Sequence, residues 1–249
     1  MRLTVVGCSG SFPGPDSPGS CYLVEHDGFR LVVDLGNGSL GHLQRYVDLR
    51  DVDAVWLSHL HVDHCIDVTS YYVARRYHPE GCPPRLPVHG PEGTAHQLTR
   101  AYGTADATAN FERVFDFRTL AAGVRELGPF RLTTAQMAHP VPCFGVRFEA
   151  GGHSLVYSAD TGPTEALVDL ARGADVLLAE ASFYDGDANP PGLHLTGREA
   201  GEHAAKAGVG RLLITHVPPW HRLDRTLDEA AGSFDGDLGG ACAGGVLEL

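Results

Sequence analysis

The chain has 249 residues, of which 43% are apolar and 20% are charged, values typical of a folded globular protein. A formal net charge of −12 argues against a broad polyanion-binding surface, because Lys and Arg must neutralise the phosphates of a bound nucleic acid. We therefore expect extended nucleic acid to be excluded as a partner, while a small anion held by metal stays open.

No apolar run reaches the roughly 20 residues that a membrane-spanning helix needs, so no membrane association is expected. The six cysteines form no CxxC pair, and no leader precedes MRLTVVG. We expect reduced thiols, a cytoplasmic protein and a single domain over residues 1–249. A homodimer stays open, because no interface pattern stands out.

In the first third, the runs RLTVVG, SCYLVEH and FRLVVDLG predict strands, the last two joined by a hairpin turn at Asp27-Gly28. A short helix is predicted over residues 39–46. The apolar run VDAVWLSH then predicts a buried strand, which a helix over residues 64–77 follows.

The rest of the chain predicts strand pairs and then an alternation of helices and strands. LPVHG predicts a strand and residues 91–102 a helix, whereas residues 103–120 show weak periodicity. VRELGPFRLTTAQMAH and FGVRFEAGGHSLVYSAD each predict two strands. Further predictions are helices over residues 163–172 and 196–207 and near Asp228, strands at ADVLLAEAS, RLLITH and GVLEL, and a loop at GDLGGACAGG. This order predicts a layered α/β architecture with helices outside packed sheets.

Three histidines and an aspartate fall within HLHVDH, residues 59–64, directly after an apolar strand. The strand end can present His59 and His61 to one side, while the turn into the helix brings Asp63 and His64 to the other. Imidazoles and carboxylates at this density suit two divalent metal ions a few ångströms apart. The alternative is a polar loop whose histidines have no common role, and packing alone does not favour it.

Three more candidate ligands stand where predicted strands end, namely His139, Asp160 and His216. Layered α/β proteins usually assemble their sites at strand ends. Taken singly, these residues would be capping or rim residues. Together with HLHVDH they predict a complete metal-ligand set.

In this order, these residues resemble the metallo-β-lactamase fold superfamily, and the resemblance spans nearly the whole chain. It implies a four-layer αββα sandwich with the site at one edge of two sheets. It also implies two divalent ions, zinc first with manganese or iron as alternatives. The implied ligands are His59, His61 and His139 for one ion, Asp63, His64 and His216 for the other, and Asp160 as a bridge.

LLAEASF and the later GLHLTGREAGEHAAKAG resemble the ribonuclease Z-like branch of this superfamily. The resemblance implies that His194 donates a proton or contacts phosphate, and that Glu180 orients it. A carboxylate behind an imidazole fixes the tautomer, and a departing alkoxide needs a proton. Thr196 and Glu199 also predict a helix-capping box immediately after His194.

Members of the branch that process transfer RNA grip it with a long arm, for which the hairpin predicted between His139 and Asp160 leaves no room. The chain is further similar to armless actinobacterial members that act as cyclic nucleotide phosphodiesterases, through GCSGSFPGPDSPGSCYLV, LSHLHVDHCIDV, YSADTG and THVPPW. This implies a small cyclic phosphodiester substrate, 3′,5′-cyclic AMP first, hydrolysed through a metal-bridging hydroxide. The implied catalytic residues are Asp63, His194 and Glu180.

Other functions stay open. The substrate could be another cyclic phosphodiester or an RNA 3′ end, and the fold also carries lactone and acyl hydrolases, although LAEASF and HLTG favour phosphorus chemistry. A metal-free binding scaffold is disfavoured by the complete ligand set.

Four further residues are candidate substrate contacts, namely Arg75, Arg76, Trp220 and His221. The alternative role of the two arginines is a solvated helix end, and that of Trp220 and His221 is a loop anchor. The first loop, with Phe12, is a further candidate border of the site.

Overall fold

Two seven-stranded sheets form the framework of the protein in the computed structural model, which describes residues 1–103 and 108–249. Within these ranges the strands are β1 (Arg2–Gly7), β2 (Cys21–His26), β3 (Phe29–Val33), β4 (Ala54–Trp56), β5 (Leu86–Gly90), β6 (Phe115–Thr119), β7 (Gly123–Leu127), β8 (Phe130–Gln136), β9 (Phe144–Ala150), β10 (His153–Tyr157), β11 (Val176–Glu180), β12 (Arg211–Thr215), β13 (Asp237–Gly240) and β14 (Val246–Glu248).

Each sheet is half antiparallel and half parallel. The first has the order β14-β1-β2-β3-β4-β5-β6 and is parallel from β3 onward. The second has the order β13-β12-β11-β10-β9-β8-β7 and is parallel from β13 to β10. Ligands of α/β proteins usually bind where parallel strands end, so each sheet offers one such edge.

The helices of the described ranges cover the outer faces of the two sheets. They are α1 (Ser39–Leu43), α2 (Val62–Cys65), α3 (Val68–Arg76), α4 (Thr94–Tyr102), α5 (Thr108–Phe111), α6 (Glu165–Ala171), α7 (Gly197–Ala207) and α8 (Leu223–Ala231). In the same ranges, no helix has the length and apolar character that crossing a bilayer requires.

Side-chain alternation along the strands builds two hydrophobic cores. In β4, Val55 points to the helix side and packs in a cluster with Tyr71 of α3, whereas Trp56 points between the sheets and joins a cluster with Phe130 and Phe148. The second sheet buries its other face against α6, α7 and α8. The predicted four-layer αββα sandwich is therefore confirmed.

Several predicted elements are confirmed and others need correction. Asp27 and Gly28 both have positive φ, at 46° and 80°, as the predicted hairpin turn requires. The single helix predicted over residues 64–77 is wrong. It is divided between α2 and α3, because the backbone N–H of Asp67 donates to Leu35 and its carboxylate accepts from Leu40. The segment between β3 and α1, together with the start of α1, thus interrupts the helix.

Two strands were not predicted, and both lie at or near sheet edges. β6 lies in the weakly periodic stretch 103–120, of which residues 104–107 fall outside the described ranges. β13 contradicts the loop predicted at GDLGGACAGG. A Cβ at Gly240 would lie 2.6 Å from the Leu223 side chain, so the glycine lets α8 approach this edge strand closely.

Candidate metal centre

Both sheets contribute to one cluster of histidines and aspartates. His59, His61, Asp63 and His64 follow β4 of the first sheet. His139 follows β8, Asp160 follows β10 and His216 follows β12 of the second sheet. The structure thus brings together all seven residues that the sequence suggested as metal ligands, in two groups that share one edge of the sandwich.

The first group consists of His59, His61, His139 and Asp160, whose ligand-type atoms all lie within 4.8 Å of one another. Nε2 of His59 lies 3.0 Å from Nδ1 of His61, and Nε2 of His139 lies 3.3 Å from the same Nδ1 atom. The ring nitrogens therefore converge on one point, as lone pairs must around a cation.

The second group consists of Asp63, His64 and His216, again with ligand-type atoms within 4.8 Å of one another. The Nε2 atoms of His64 and His216 lie 3.0 Å apart, and Oδ2 of Asp63 lies 3.1 Å from Nε2 of His216. All three side chains are buried. One carboxylate and two imidazoles provide a mixed oxygen and nitrogen donor set.

Asp160 lies between the two groups and is 2% exposed. Its Oδ2 atom lies 3.6 Å from Nε2 of His59, and its Oδ1 atom lies 3.2 Å from Nε2 of His64 and 3.5 Å from Nδ1 of His216. Although these atoms are near, Oδ1 makes no hydrogen bond among the described residues. A buried carboxylate oxygen without a partner is costly, and a bound cation would satisfy it. The residues therefore fit divalent metal ions.

Protonation in the first group favours metal binding. Burial lowers the pKa values of His59, His61 and His139, so these imidazoles are neutral near pH 7 and keep a free lone pair. For Asp63 and Asp160, burial raises the pKa, but the neighbouring imidazoles outweigh it and hold both carboxyl pKa values low. Both aspartates are therefore ionised at neutral pH.

Asp34 belongs to the site although the sequence analysis did not identify it. Its buried carboxylate accepts hydrogen bonds from the backbone N–H of Ser58 at 2.7 Å, the Ser58 hydroxyl at 2.8 Å and the Tyr157 hydroxyl at 2.9 Å. Its Oδ2 atom also lies 2.8 Å from Nδ1 of His64. This contact orients the ring so that Nε2 faces the other ligands.

The backbone is strained around the same cluster. Asp34 has a φ of 58° and His216 a φ of 56°, which non-glycine residues rarely adopt. Ala159, directly before Asp160, has a φ of 53°. In the sequence, Asp34 is marked only by its position at the end of the strand FRLVVD. Aspartate is common in turns at strand ends, so this position alone does not indicate a role in the site.

Two further contacts hold the imidazoles in place. Nδ1 of His139 donates to the carbonyl oxygen of Leu193 at 2.9 Å. The Ser182 hydroxyl lies 2.9 Å from Nδ1 of His216 and donates to the His216 carbonyl oxygen at 2.8 Å. These partners fix ring orientation, so the cluster is organised by the protein itself.

His194 and Glu180 form a hydrogen-bonded pair beside the cluster. Nδ1 of His194 lies 2.8 Å from Oε1 of Glu180 and 3.9 Å from Oδ2 of Asp160. Glu180 is fully buried and also accepts the backbone N–H groups of Thr161 and Ser182. Burial lowers the pKa of His194, but the negative charge of Glu180 and its hydrogen bond outweigh burial and raise that pKa to about 9.

The capping box predicted after His194 is present. The Thr196 hydroxyl accepts the backbone N–H of Glu199, and the Glu199 carboxylate accepts the backbone N–H of Thr196. Both groups satisfy backbone donors at the start of α7. The box therefore anchors the chain two residues beyond His194.

The two arginines considered as substrate contacts lie near the end of α3. The prediction that these arginines lie on a solvated helix end is wrong for Arg75. Its side chain is 4% exposed and donates to the carbonyl oxygens of Leu49 and Pro84. The Arg76 guanidinium lies over the ring of Tyr77, 5.6 Å from its centroid. Arg75 therefore holds loops together.

Comparison with known proteins agrees with this geometry. The family model for the beta-lactamase superfamily domain matches residues 30–217. An uncharacterized protein of Mycobacterium tuberculosis is 44% identical over 96% of this chain and 88% of its own length. The probable metallo-hydrolase YhfI of Bacillus subtilis is 34% identical over the full length of both chains.

Solved structures lead to the same assignment. The crystal structure of YhfI from Bacillus subtilis matches with a TM-score of 0.87 and 32% identity over 99% of each chain. The short form of human tRNase Z matches in fold, with a TM-score of 0.80 and 19% identity over 100% of this chain and 99% of that one. Fold and cluster define a metal-dependent hydrolase. The chain belongs to the beta-lactamase superfamily.

Proposed function

We propose that the protein is a dinuclear metal-dependent phosphodiesterase that hydrolyses a small cyclic nucleotide, 3′,5′-cyclic AMP first. The observation that carries the proposal is the His194–Glu180 pair, because it places a protonated imidazole beside the metal-ligand groups. A ribose alkoxide is a poor leaving group and needs such a proton. Ribonuclease Z of Halorubrum lacusprofundi, a phosphodiesterase by its name, is 29% identical over 95% of this chain and 93% of its own.

In this proposal the two groups of residues each hold one ion. His59, His61 and His139 would hold one ion, Asp63, His64 and His216 would hold the other, and Asp160 would supply negative charge to both. Zinc is the first choice for this donor set, and manganese and iron also accept imidazole and carboxylate ligands. When bound, such ions neutralise charge on phosphoryl oxygens and lower the pKa of a coordinated water.

The side chains of this protein supply the remaining chemistry. Asp63 and Asp160 stay ionised and supply the negative charge that holds two cations close together. Glu180 accepts a hydrogen bond from the Nδ1–H group of His194, so Nε2 is the nitrogen that faces the substrate. Nε2 donates its proton to the departing ribose oxygen, and Glu180 stabilises the imidazolium until then.

A small substrate is supported by the segment between His139 and Asp160. It is occupied by β9 and β10, Phe144–Ala150 and His153–Tyr157, which pair directly with each other. An RNA-gripping arm has no room in this segment. The net charge of −12 likewise disfavours a long polyanion and leaves a single phosphodiester as the fitting substrate.

The test is hydrolysis of 3′,5′-cyclic AMP by chelator-treated protein reloaded with zinc or with manganese, with 2′,3′-cyclic AMP measured alongside. Asp63→Ala should abolish turnover, and His153→Gln, at the exposed start of β10, should not change it. Turnover of an aryl phosphodiester without turnover of either cyclic nucleotide would retain the chemistry and discard the substrate. Absence of all phosphodiester turnover would overturn the proposal.

The leaving group tests the role of His194 separately. His194→Gln should lower turnover of cyclic AMP about 10²- to 10⁴-fold, because the ribose oxygen departs without a proton. It should have far less effect on bis(p-nitrophenyl) phosphate, whose phenolate leaves unaided. Equal losses on both substrates would show that His194 does not act as the acid.

A further inference from the structure

Two aromatic side chains stand exposed beside each other near the metal centre. Phe12 is 36% exposed and Trp220 is 65% exposed. Their ring centroids lie 4.6 Å apart and their planes are tilted by 42°. Exposing large apolar rings in water is unfavourable, so a pair that stays exposed calls for an explanation.

The loop that carries Phe12 lies directly against the metal ligand His216. A Cβ at Gly10 would lie 2.2 Å from the carbonyl oxygen of His216 and 3.1 Å from its Nδ1 atom. The backbone N–H of Gly10 also donates to the Val217 carbonyl oxygen at 3.2 Å. Phe12 is two residues beyond Gly10 and Trp220 four beyond His216, so at about 3.8 Å per residue their Cα atoms lie at most about 8 Å and about 15 Å from those residues. The ring contact of 4.6 Å keeps Trp220 next to Phe12 on the His216 side of the first loop.

The backbone holds Phe12 firmly in its position. The Phe12 N–H donates to the Gly10 carbonyl oxygen at 2.7 Å, and the intervening Ser11 has a φ of 64°. This is a γ-turn of the rare, strained hand. Pro13 follows and restricts the conformation of Phe12 further. Such strain persists only where the surrounding structure imposes it, often at binding sites.

Trp220 is also fixed at its base. Pro218 and Pro219 precede it and lock two successive φ angles. A Cβ at Gly14 would lie 3.2 Å from Cγ of Pro219, so the first loop packs against this segment. Both aromatic residues are therefore preorganised, and little entropy would be lost when a ligand binds between loop and metal centre.

The neighbouring His221 already serves the packing role that Trp220 would otherwise have. Its ring stacks on Tyr184 with centroids 3.9 Å apart and planes 19° apart. The guanidinium of Arg225 lies 3.7 Å from the centroid of the same tyrosine ring. Trp220 is thus not needed to anchor its own loop.

We propose that Phe12 and Trp220 form a stacking platform for the purine base of the substrate, while its phosphate binds at the metal centre. This inference rests on the proposed function and specifies the substrate as a nucleotide rather than a base-free phosphodiester. Aromatic side chains bind bases by stacking regardless of base sequence, and removing one ring typically weakens binding roughly 10- to 100-fold. The platform therefore favours adenine and guanine for their large faces.

Intrinsic fluorescence reports on the platform directly. The chain has two tryptophans, and Trp56 is fully buried, so an added quencher or stacking base acts on Trp220. Zinc-loaded protein should show saturable quenching by adenosine 5′-monophosphate and none by ribose 5-phosphate. Phe12→Ala should weaken the adenosine 5′-monophosphate titration roughly 10- to 100-fold.

Calorimetry with the same two ligands completes the test. Trp220→Ala should weaken adenosine 5′-monophosphate binding by a similar factor and leave ribose 5-phosphate binding unchanged. Tyr77→Ala is the matched control, since Tyr77 has the same 65% exposure but lies at the far end of α3. It should change neither affinity.

The two proposals fail in different ways. If cyclic AMP is hydrolysed but adenosine 5′-monophosphate does not quench, or Trp220→Ala weakens both ligands equally, the platform is wrong and the phosphodiesterase stands. If quenching is saturable but no phosphodiester is hydrolysed, the platform stands and the phosphodiesterase is wrong. Absence of any adenosine 5′-monophosphate binding also overturns the platform.

Discussion

Asp34 illustrates how one residue outside the metal-ligand groups organises them. Its carboxylate is fully buried, and its Oδ2 atom contacts the Ser58 hydroxyl, the Tyr157 hydroxyl and Nδ1 of His64. Those three groups can all donate to a carboxylate oxygen. The backbone N–H of Ser58 donates to the other oxygen, Oδ1. An amide in place of the carboxylate would therefore direct its NH₂ group either at these three groups or at the Ser58 N–H.

We expect Asp34→Asn to weaken metal binding about 10- to 100-fold, because His64 loses the partner that fixes its ring orientation. A competition titration against a chromophoric chelator measures this affinity. Asp175→Asn is the matched control, since Asp175 accepts the backbone N–H of Ser154 at 2.7 Å and its hydroxyl at 3.0 Å, at the start of β10. Unchanged affinity in Asp34→Asn would contradict the orienting role.

The raised pKa of His194 predicts that the stability of the metal-free protein depends on pH. Its pKa rises from 6.5 to about 9 on folding, since Glu180 outweighs burial. A raised pKa stabilises the fold fully below about pH 6.5, and this contribution is lost as pH rises through about 9. At about 1.4 kcal/mol per pKa unit, it amounts to ~3 kcal/mol.

Thermal melts of chelator-treated protein at pH 6 and pH 10 check this expectation. The difference in melting temperature between wild type and His194→Gln should be large at pH 6 and small at pH 10. Glu180→Gln should follow the same trend, because it removes the other half of the pair. A difference that is the same at both pH values would show that the ion pair does not form.

At the scale of elements, the packing of α7 on α8 depends on close backbone approach. A Cβ at Gly197 would lie 2.2 Å from the Thr226 carbonyl oxygen. Gly197→Ala should therefore destabilise the protein by about 1–3 kcal/mol through overpacking. Gly41→Ala, in α1 with open space around the added Cβ, should instead stabilise it by about 0.5–1 kcal/mol.

Denaturant titration of both glycine variants gives the two free energies of unfolding. The pair separates steric crowding from the general effect of replacing glycine in a helix. If Gly197→Ala stabilised the protein as Gly41→Ala should, α7 and α8 would have to separate easily. Their close approach would then not be what positions the start of α7 after His194.

The elements that could be predicted from the sequence are those with a clear apolar pattern or a clear capping motif. VDAVWL has apolar side chains for both faces of β4, and Thr196 with Glu199 marks the start of α7. β6 and β13 were missed because half-exposed edge strands carry little alternation. The break between α2 and α3 could not be predicted, since contacts with Leu35 and Leu40, distant in sequence, create it.

The site divides in the same way. His59, His61, Asp63 and His64 stand out because four ligand residues, three histidines and one aspartate, share six positions. Asp34 does not stand out, because a lone aspartate at a strand end is a common turn residue. Its role in the site depends on the contact with His64, which is thirty residues away in sequence. Likewise the contact between Phe12 and Trp220 arises only when the two loops pack.

At the scale of the whole molecule, the metal centre joins the two sheets. The first sheet contributes His59, His61, Asp63 and His64, and the second contributes His139, Asp160 and His216. Without metal, this interface holds buried ionised carboxylates and an oxygen of Asp160 that has no hydrogen-bond partner in the described part of the chain. Such groups are costly to bury, so metal binding should stabilise the fold as well as serve catalysis.

We therefore expect chelation to lower the melting temperature. A ligand at 100 times its Kd stabilises by about 2.7 kcal/mol per site, which for a chain of this size corresponds to ~5–10 °C. Melts with EDTA and with graded free zinc or manganese measure the shift. Asp160→Asn should lose most of it, because both sites lose their shared carboxylate, while Asp175→Asn should keep it. A melting temperature independent of metal would mean that the sheets meet without the ions, and that the cluster binds them too weakly to tie one sheet to the other.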